Sequence, residues 1–111
     1  MDNEIAKWLN DILQAIQEIE SFYTEKPMVF QEYLGDIKTK RAIERELEII
    51  GEAVNRILKK DPNFHKLNAR QIIATRNRIA HGYDSVSDDM IWSIVINHIP
   101  KLKTEIVKLL T

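Results

Sequence analysis

The chain has 111 residues, 44% of them hydrophobic and 30% charged, with three Gly, three Pro and no Cys, a size that suits one domain with a single core. Its 16 Lys plus Arg against 17 Asp plus Glu leave a formal net charge of −1, so bulk electrostatics does not drive it onto nucleic acid or anionic lipid, and any nucleic-acid contact must use a local patch. The lack of cysteine excludes a disulfide framework, a thiol nucleophile and a thiolate metal site. The opening MDNEIAKWLN carries no basic leader pattern, and no stretch nears the roughly 18 apolar residues of a membrane span, so a cytoplasmic protein without membrane association is expected.

Ile5, Trp8, Leu9, Ile12, Leu13, Ile16, Ile19, Phe22 and Tyr23 recur at three- and four-residue steps, which predicts a long amphipathic helix capped by Asp2 or Asn3. After Pro27, the segment Met28 to Leu34 reads as a helical turn or two stopped by Gly35, covering one end of a bundle. Apolar positions Ile43, Leu47, Ile50, Val54, Ile57 and Leu58 then predict a second long helix from Asp36 to Lys60, ended by Asp61-Pro62 because proline cannot continue the backbone ladder. A third helix is predicted from an Asn68 cap to His81, stopped by Gly82, the residue that most easily takes a left-handed conformation. Ser87, Asp88 and Asp89 open a fourth, whose apolar face runs from Ile91 to Leu109 across Pro100 with a kink or short restart. No period-two alternation, repeat or linker is present. The expectation is an all-α fold: an antiparallel four-helix bundle with an additional short helix, one domain over residues 1–111.

Charge is unevenly placed. From Pro62 to Tyr83 there is no Asp or Glu, while His65, Lys66, Arg70, Arg76, Arg78 and His81 fall there. The first helix region is acidic, with Asp2, Glu4, Asp11, Glu18, Glu20 and Glu25 against Lys7 and Lys26. Two readings fit this asymmetry, an anion site on the third helix or charge pairing between the acidic and basic helices. Projected at about 100° per residue, Ile72, Ile73, Ile79 and Ala80 form one stripe with Arg76 near its middle. An arginine there needs a carboxylate, an interface cleft or a ligand phosphate.

His81 lies five residues beyond Arg76, about 140° round the helix and roughly 7.5 Å along it, so the two side chains converge only if the last turn loosens or two copies of the helix meet across a dimer axis. Taken singly, His81 is also a histidine favourably placed at the negative end of a helix dipole. Tyr83 taken singly is an aromatic packing after a helix cap. Metal chemistry has little support: the histidines stand far apart at 65, 81 and 98, no HExxH occurs, and Asp84, Asp88 and Asp89 lack calcium-loop spacing. Neither a glycine-rich phosphate loop nor a serine-centred triad is recognisable.

The string Arg76-Asn77-Arg78-Ile79-Ala80-His81-Gly82-Tyr83 fits the pattern Arg, four to six residues, His, any residue, Tyr, and resembles the HEPN domains of the HepT-like toxins. Leu47-Glu48-Ile49-Ile50-Gly51-Glu52-Ala53 and the tail from Trp92 through Pro100 and Leu102 are similar to the same family, so the resemblance covers nearly the whole chain. It implies a HEPN-like helical homodimer acting as a metal-independent endoribonuclease, the toxin of a type VII toxin–antitoxin pair encoded beside the nucleotidyltransferase antitoxin MntA. Arg76 and His81 from both protomers would line the RNA cleft, with Asn77 and Arg78 supporting them. Tyr83 would accept AMP that the antitoxin takes from ATP, and the chain would need no cofactor of its own. The other readings of the residues are a non-catalytic nucleotide- or nucleotidyltransferase-binding module, and a purely structural bundle.

Overall fold

The computed structural model describes residues 1–64, 67–80 and 87–111. Among the described residues there are six α-helices, α1 (Asn3–Ser21), α2 (Phe30–Gly35), α3 (Ile37–Lys60), α4 (Arg70–Ala80), α5 (Asp88–Ser93) and α6 (Ile99–Leu110), with a π-helical turn, Ile94–His98, joining the last two. No strand occurs among the described residues. The expected all-α bundle is therefore present, with α2 as the additional short helix and α5 to α6 as one long, interrupted fourth member.

Local chemistry explains the helix ends. Asp2 caps α1, its Oδ1 accepting the backbone N–H groups of Glu4 and Ile5 at 2.8 and 3.1 Å. Asp36 ends α2 and caps α3: its carboxylate accepts the Thr39 N–H at 3.1 Å, the Thr39 hydroxyl at 2.7 Å and Lys26 Nζ at 3.0 Å. The Thr39 hydroxyl and the Lys26 ammonium hold the Asp36 carboxyl down at about 2. Helix α3 stops at Lys60, immediately before Asp61-Pro62, as predicted.

One expectation needs correction. Helix α4 begins at Arg70, and Asn68 stands outside it, its backbone N–H donating instead to Glu105 of α6 at 2.7 Å. The interruption expected around Pro100 takes the form of the π turn before it, in which the Ile99 N–H reaches back five residues to the Ile94 carbonyl, and α6 restarts with Pro100 in its first turn. Proline has no N–H and its ring crowds the carbonyl four residues earlier, so widening the preceding turn lets the chain pass Pro100 without losing its helical course.

Ion pairs between helix ends fix the antiparallel order. Lys60, at the end of α3, meets Asp2 at 3.4 Å and also Glu4, both at the start of α1. Glu20, near the end of α1, meets Lys103 in the first half of α6 at 2.9 Å. Between the helices Leu9, Ile12 and Ile16 of α1, Ile43, Leu47, Ile50 and Ile57 of α3, Ile72 of α4, and Leu102 and Ile106 of α6 are sealed from solvent. Each such side chain contributes about 1.5–3 kcal/mol of transfer free energy. One end is closed by aromatic rings, with Tyr33 of α2 lying 5.0 Å from Trp92 and Tyr23 meeting Trp92 edge-on at 5.9 Å.

Candidate functional site

Arg76 is the sequence-predicted site residue best defined in the structure. On α4 it projects beside the buried positions Ala69, Ile72 and Thr75. Arg76 is 26% exposed along its side chain, and Ile73 is only half-buried. The aliphatic stem crosses the neighbouring helix while the guanidinium reaches that helix's edge.

That crossing requires Gly51. A Cβ on residue 51 of α3 would stand 2.7 Å from Arg76 Cβ and 2.9 Å from Arg76 Cγ, closer than real Cβ contacts come. Directly after it, Glu52 receives the guanidinium, with Arg76 Nη2 donating to Oε2 at 2.6 Å. The other oxygen of the same carboxylate accepts Arg56 Nε at 3.2 Å, so Glu52 joins two arginines, one from each helix. Arg76 Nη1 donates to Asn77 Oδ1 at 3.1 Å. Asn77 is thus brought to Arg76, whereas Arg78, about 200° further round the helix, is directed to α5 and contacts Met90 Sδ through Nη1 at 3.6 Å. His81 and Tyr83, with His65, Lys66, Gly82 and Asp84, lie outside the described residues.

The expected pairing of an acidic first helix with a basic third helix takes another form. Carboxylates of α1 bind Lys60 and Lys103, and the Arg76 partner comes from α3. Gly51 and Glu52 enter the sequence reading only within the Leu47–Ala53 string, with no role assigned, and Arg56 does not enter it. The available signal was Gly51 itself, an isolated glycine inside a strong helical pattern, which marks a close packing contact.

The Glu52–Arg76 pair separates two recesses. One, of about 550 Å³, is walled by Asn55, Arg56, Leu58 and Lys59 and carries the cationic groups Arg56, Lys59 and Arg76 against the single carboxylate of Glu52. The other, of about 500 Å³, lies between α1 and α3 and is dominated by carboxylates. Cationic donors on an otherwise polar wall suit a phosphate-bearing ligand in the first recess and disfavour one in the second. Among the described residues no three His, Asp or Glu side chains converge as metal ligands, and no helix is long and apolar enough to cross a membrane.

Comparison with known proteins places the chain in a family. The chain is 37% identical over 103 residues to "Probable ribonuclease HepT" of Thermococcus cleftensis, covering 92% of each protein. It is 34% identical over 98 residues to "Putative RNase MJ0127" of Methanocaldococcus jannaschii, covering 87% of this chain and 79% of that one. Against "Putative RNase TTE0752" of Caldanaerobacter subterraneus the identity is 33% over 86 residues, 77% of each. No solved structure gives a significant match. Residues 12–109, which include Gly51, Glu52, Arg76 and the whole Arg76–Tyr83 string, match the family described as Ribonuclease HepT-like, and the chain belongs to that family.

Proposed function

We propose that this protein is a metal-independent endoribonuclease, the toxin of a HepT/MntA pair, acting in the cytoplasm as a homodimer in which Arg76 and His81 of both protomers face one RNA cleft. The observation that carries the reading is the presentation of Arg76: a permanently charged guanidinium, pre-oriented by Glu52 and Asn77, at the mouth of a recess that also holds Arg56 and Lys59. Membership of a ribonuclease family supports the activity, and the sequence pattern ending in His81 and Tyr83 supports the residue roles.

The chemistry follows from the groups themselves. The imidazole of His81 takes the proton of an RNA 2′-hydroxyl, the proton-shuttling role for which histidine side chains are suited, and the 2′-oxygen attacks the adjacent phosphorus. The P–O5′ bond breaks, the 5′-oxygen collects a proton from the imidazolium of one of the two protomers, and a 2′,3′-cyclic phosphate remains. Arg76 holds the phosphoryl oxygens as charge develops on them, and Glu52 keeps the guanidinium from swinging away between turnovers. Asn77 orients Arg76, and Arg78 supports the same helix from its far side. No step calls for a metal ion or a cofactor. Control comes from an MntA-type nucleotidyltransferase antitoxin, which transfers AMP from ATP to the Tyr83 hydroxyl with release of pyrophosphate. The added anion then occupies the cations that must hold RNA.

The test is cleavage of total RNA in chelator by the unmodified protein and by His81→Ala, each verified by intact mass. Cleavage by the first alone, leaving 2′,3′-cyclic ends, is expected. Cleavage by neither, with unmodified mass, overturns the nuclease reading and favours a non-catalytic nucleotide- or nucleotidyltransferase-binding module.

A further inference from the structure

The recess between α1 and α3 differs in kind from the one that faces Arg56 and Lys59. Its floor is small, Ala15 and Ala53, and its apolar wall is the half-buried ring of Trp8 with Ile49. Glu46 reaches it from α3 and is only 5% exposed, and its Oε2 has no hydrogen-bond partner among the described residues. A buried carboxyl oxygen left unpaired costs about 1–3 kcal/mol, so its retention on a cavity wall points to a donor that enters from outside.

The charges around it narrow the donor. Glu18 of α1 lies within hydrogen-bonding reach of Glu46; burial first, then that hydrogen bond and the charge of the Glu18 carboxylate, push the Glu46 carboxyl up to about 7. Arg45 on the same helix opposes this only in part. Asp11 of α1 and Glu48 of α3 also line the recess, Asp11 already paired with Lys7 at 3.1 Å. Its two arginines, Arg56 and Arg76, are both taken by Glu52. A cation is therefore wanted, and at about 500 Å³ with an indole and aliphatic walls the space exceeds a bare ion and fits a charged group on a hydrocarbon stem.

We propose that this recess binds an organic cation, an ammonium or guanidinium group on an alkyl stem, with Glu46 and Glu18 gripping the charged end and Trp8 covering the stem. Such a group comes either as a free aliphatic polyamine or as the lysine or arginine side chain of a protein partner. With its carboxyl pushed up to about 7, Glu46 still carries a proton below that pH. The arriving cation displaces it to solvent, leaving the Glu46 and Glu18 carboxylates beside one ammonium or guanidinium, so binding below that pH releases a proton and tightens as pH rises.

The test is NMR titration of the full chain with spermidine, agmatine and capped arginine amide at pH 6 and pH 8, at constant ionic strength. The two tryptophans supply a signal and a control, because Trp8 walls the recess and Trp92 lies in the aromatic end cluster. Saturable shifts of the Trp8 indole N–H without those of Trp92, about tenfold tighter at the higher pH and about tenfold weaker in Glu46→Gln and in Glu18→Gln, are expected. Gln reproduces the shape of a protonated Glu at position 46, and Glu18 is exposed, so at least one variant keeps the fold. A preference for spermidine or agmatine assigns a free polyamine, and a preference for the capped arginine assigns a partner side chain. No saturation with any of the three, or shifts indifferent to both substitutions, overturns the site.

Discussion

Gly51 and Arg76 share a point of helix contact that admits no side chain: a Cβ on residue 51 would lie 2.7 Å from the Cβ of Arg76, an atom that no rotamer change can move away. Replacing a helix-interior glycine by alanine ordinarily stabilises a protein by about 0.5–1 kcal/mol. At this position Gly51→Ala forces α3 and α4 apart, and a loss of about 1–3 kcal/mol is expected in urea denaturation, together with reduced RNA cleavage. A stability gain would show that the contact is slack.

Glu52 orients Arg76 more than it stabilises the fold. Its side chain is 41% exposed, so the ion pair is screened and worth no more than about 1 kcal/mol. Glu52→Ala is expected to lower kcat for RNA cleavage about tenfold, while Glu52→Gln, which still accepts the Arg76 hydrogen bond, stays within about threefold of the parent. Equal losses in both variants, or a matching drop in melting temperature, would contradict an orienting role.

Lys59 lines the same recess as Arg76 without sharing its carboxylate, so in the proposed reaction it would grip the RNA backbone rather than the scissile phosphate. Lys59→Ala should weaken RNA binding uniformly across sequences and reduce the dependence of log Kd on log salt by about 0.7, the single-strand value for one lost phosphate contact. An unchanged salt slope in filter binding would remove Lys59 from the path.

Stability should depend on pH through Glu46. Burial first, and the neighbouring Glu18 carboxylate second, push its carboxyl from 4.5 up to about 7. Between those values the folded chain holds a proton that the unfolded chain lacks, so this contribution is fully present below about 4.5 and is lost as pH rises to about 7. Its size is on the order of 1–3 kcal/mol. Glu46→Gln should flatten that part of the stability profile, as measured by urea denaturation at successive pH values; a profile of unchanged slope would assign the dependence to other groups.

In the proposed control by AMP transfer, Tyr83→Phe removes the acceptor oxygen. Coexpressed with an MntA-type antitoxin and ATP, the variant should keep its parent mass and remain toxic, whereas the parent gains the mass of one or more AMP units. Full neutralisation of the variant would show that binding of the antitoxin is sufficient.

Much of the fold was legible because the signals are local. Three- and four-residue spacing of isoleucine and leucine, the Asp2 and Ser87 caps, and the stop at Asp61-Pro62 each act within one or two turns, and the helices follow them. The Arg76–Tyr83 string is equally local, a contiguous stretch on which the family resemblance rests. What needed the tertiary structure was every relation between helices. Gly51, Glu52 and Arg76 are separated by more than 20 residues in sequence and meet only because α3 and α4 turn back on each other. The same holds for Glu18 and Glu46, two ordinary surface carboxyls by pattern, one of which is buried once α1 lies against α3. Periodicity states which face of a helix is apolar, but not what an arginine on that face will meet. Packing alone decided that the Arg76 stem lies against Gly51 and that its guanidinium meets Glu52 and Asn77.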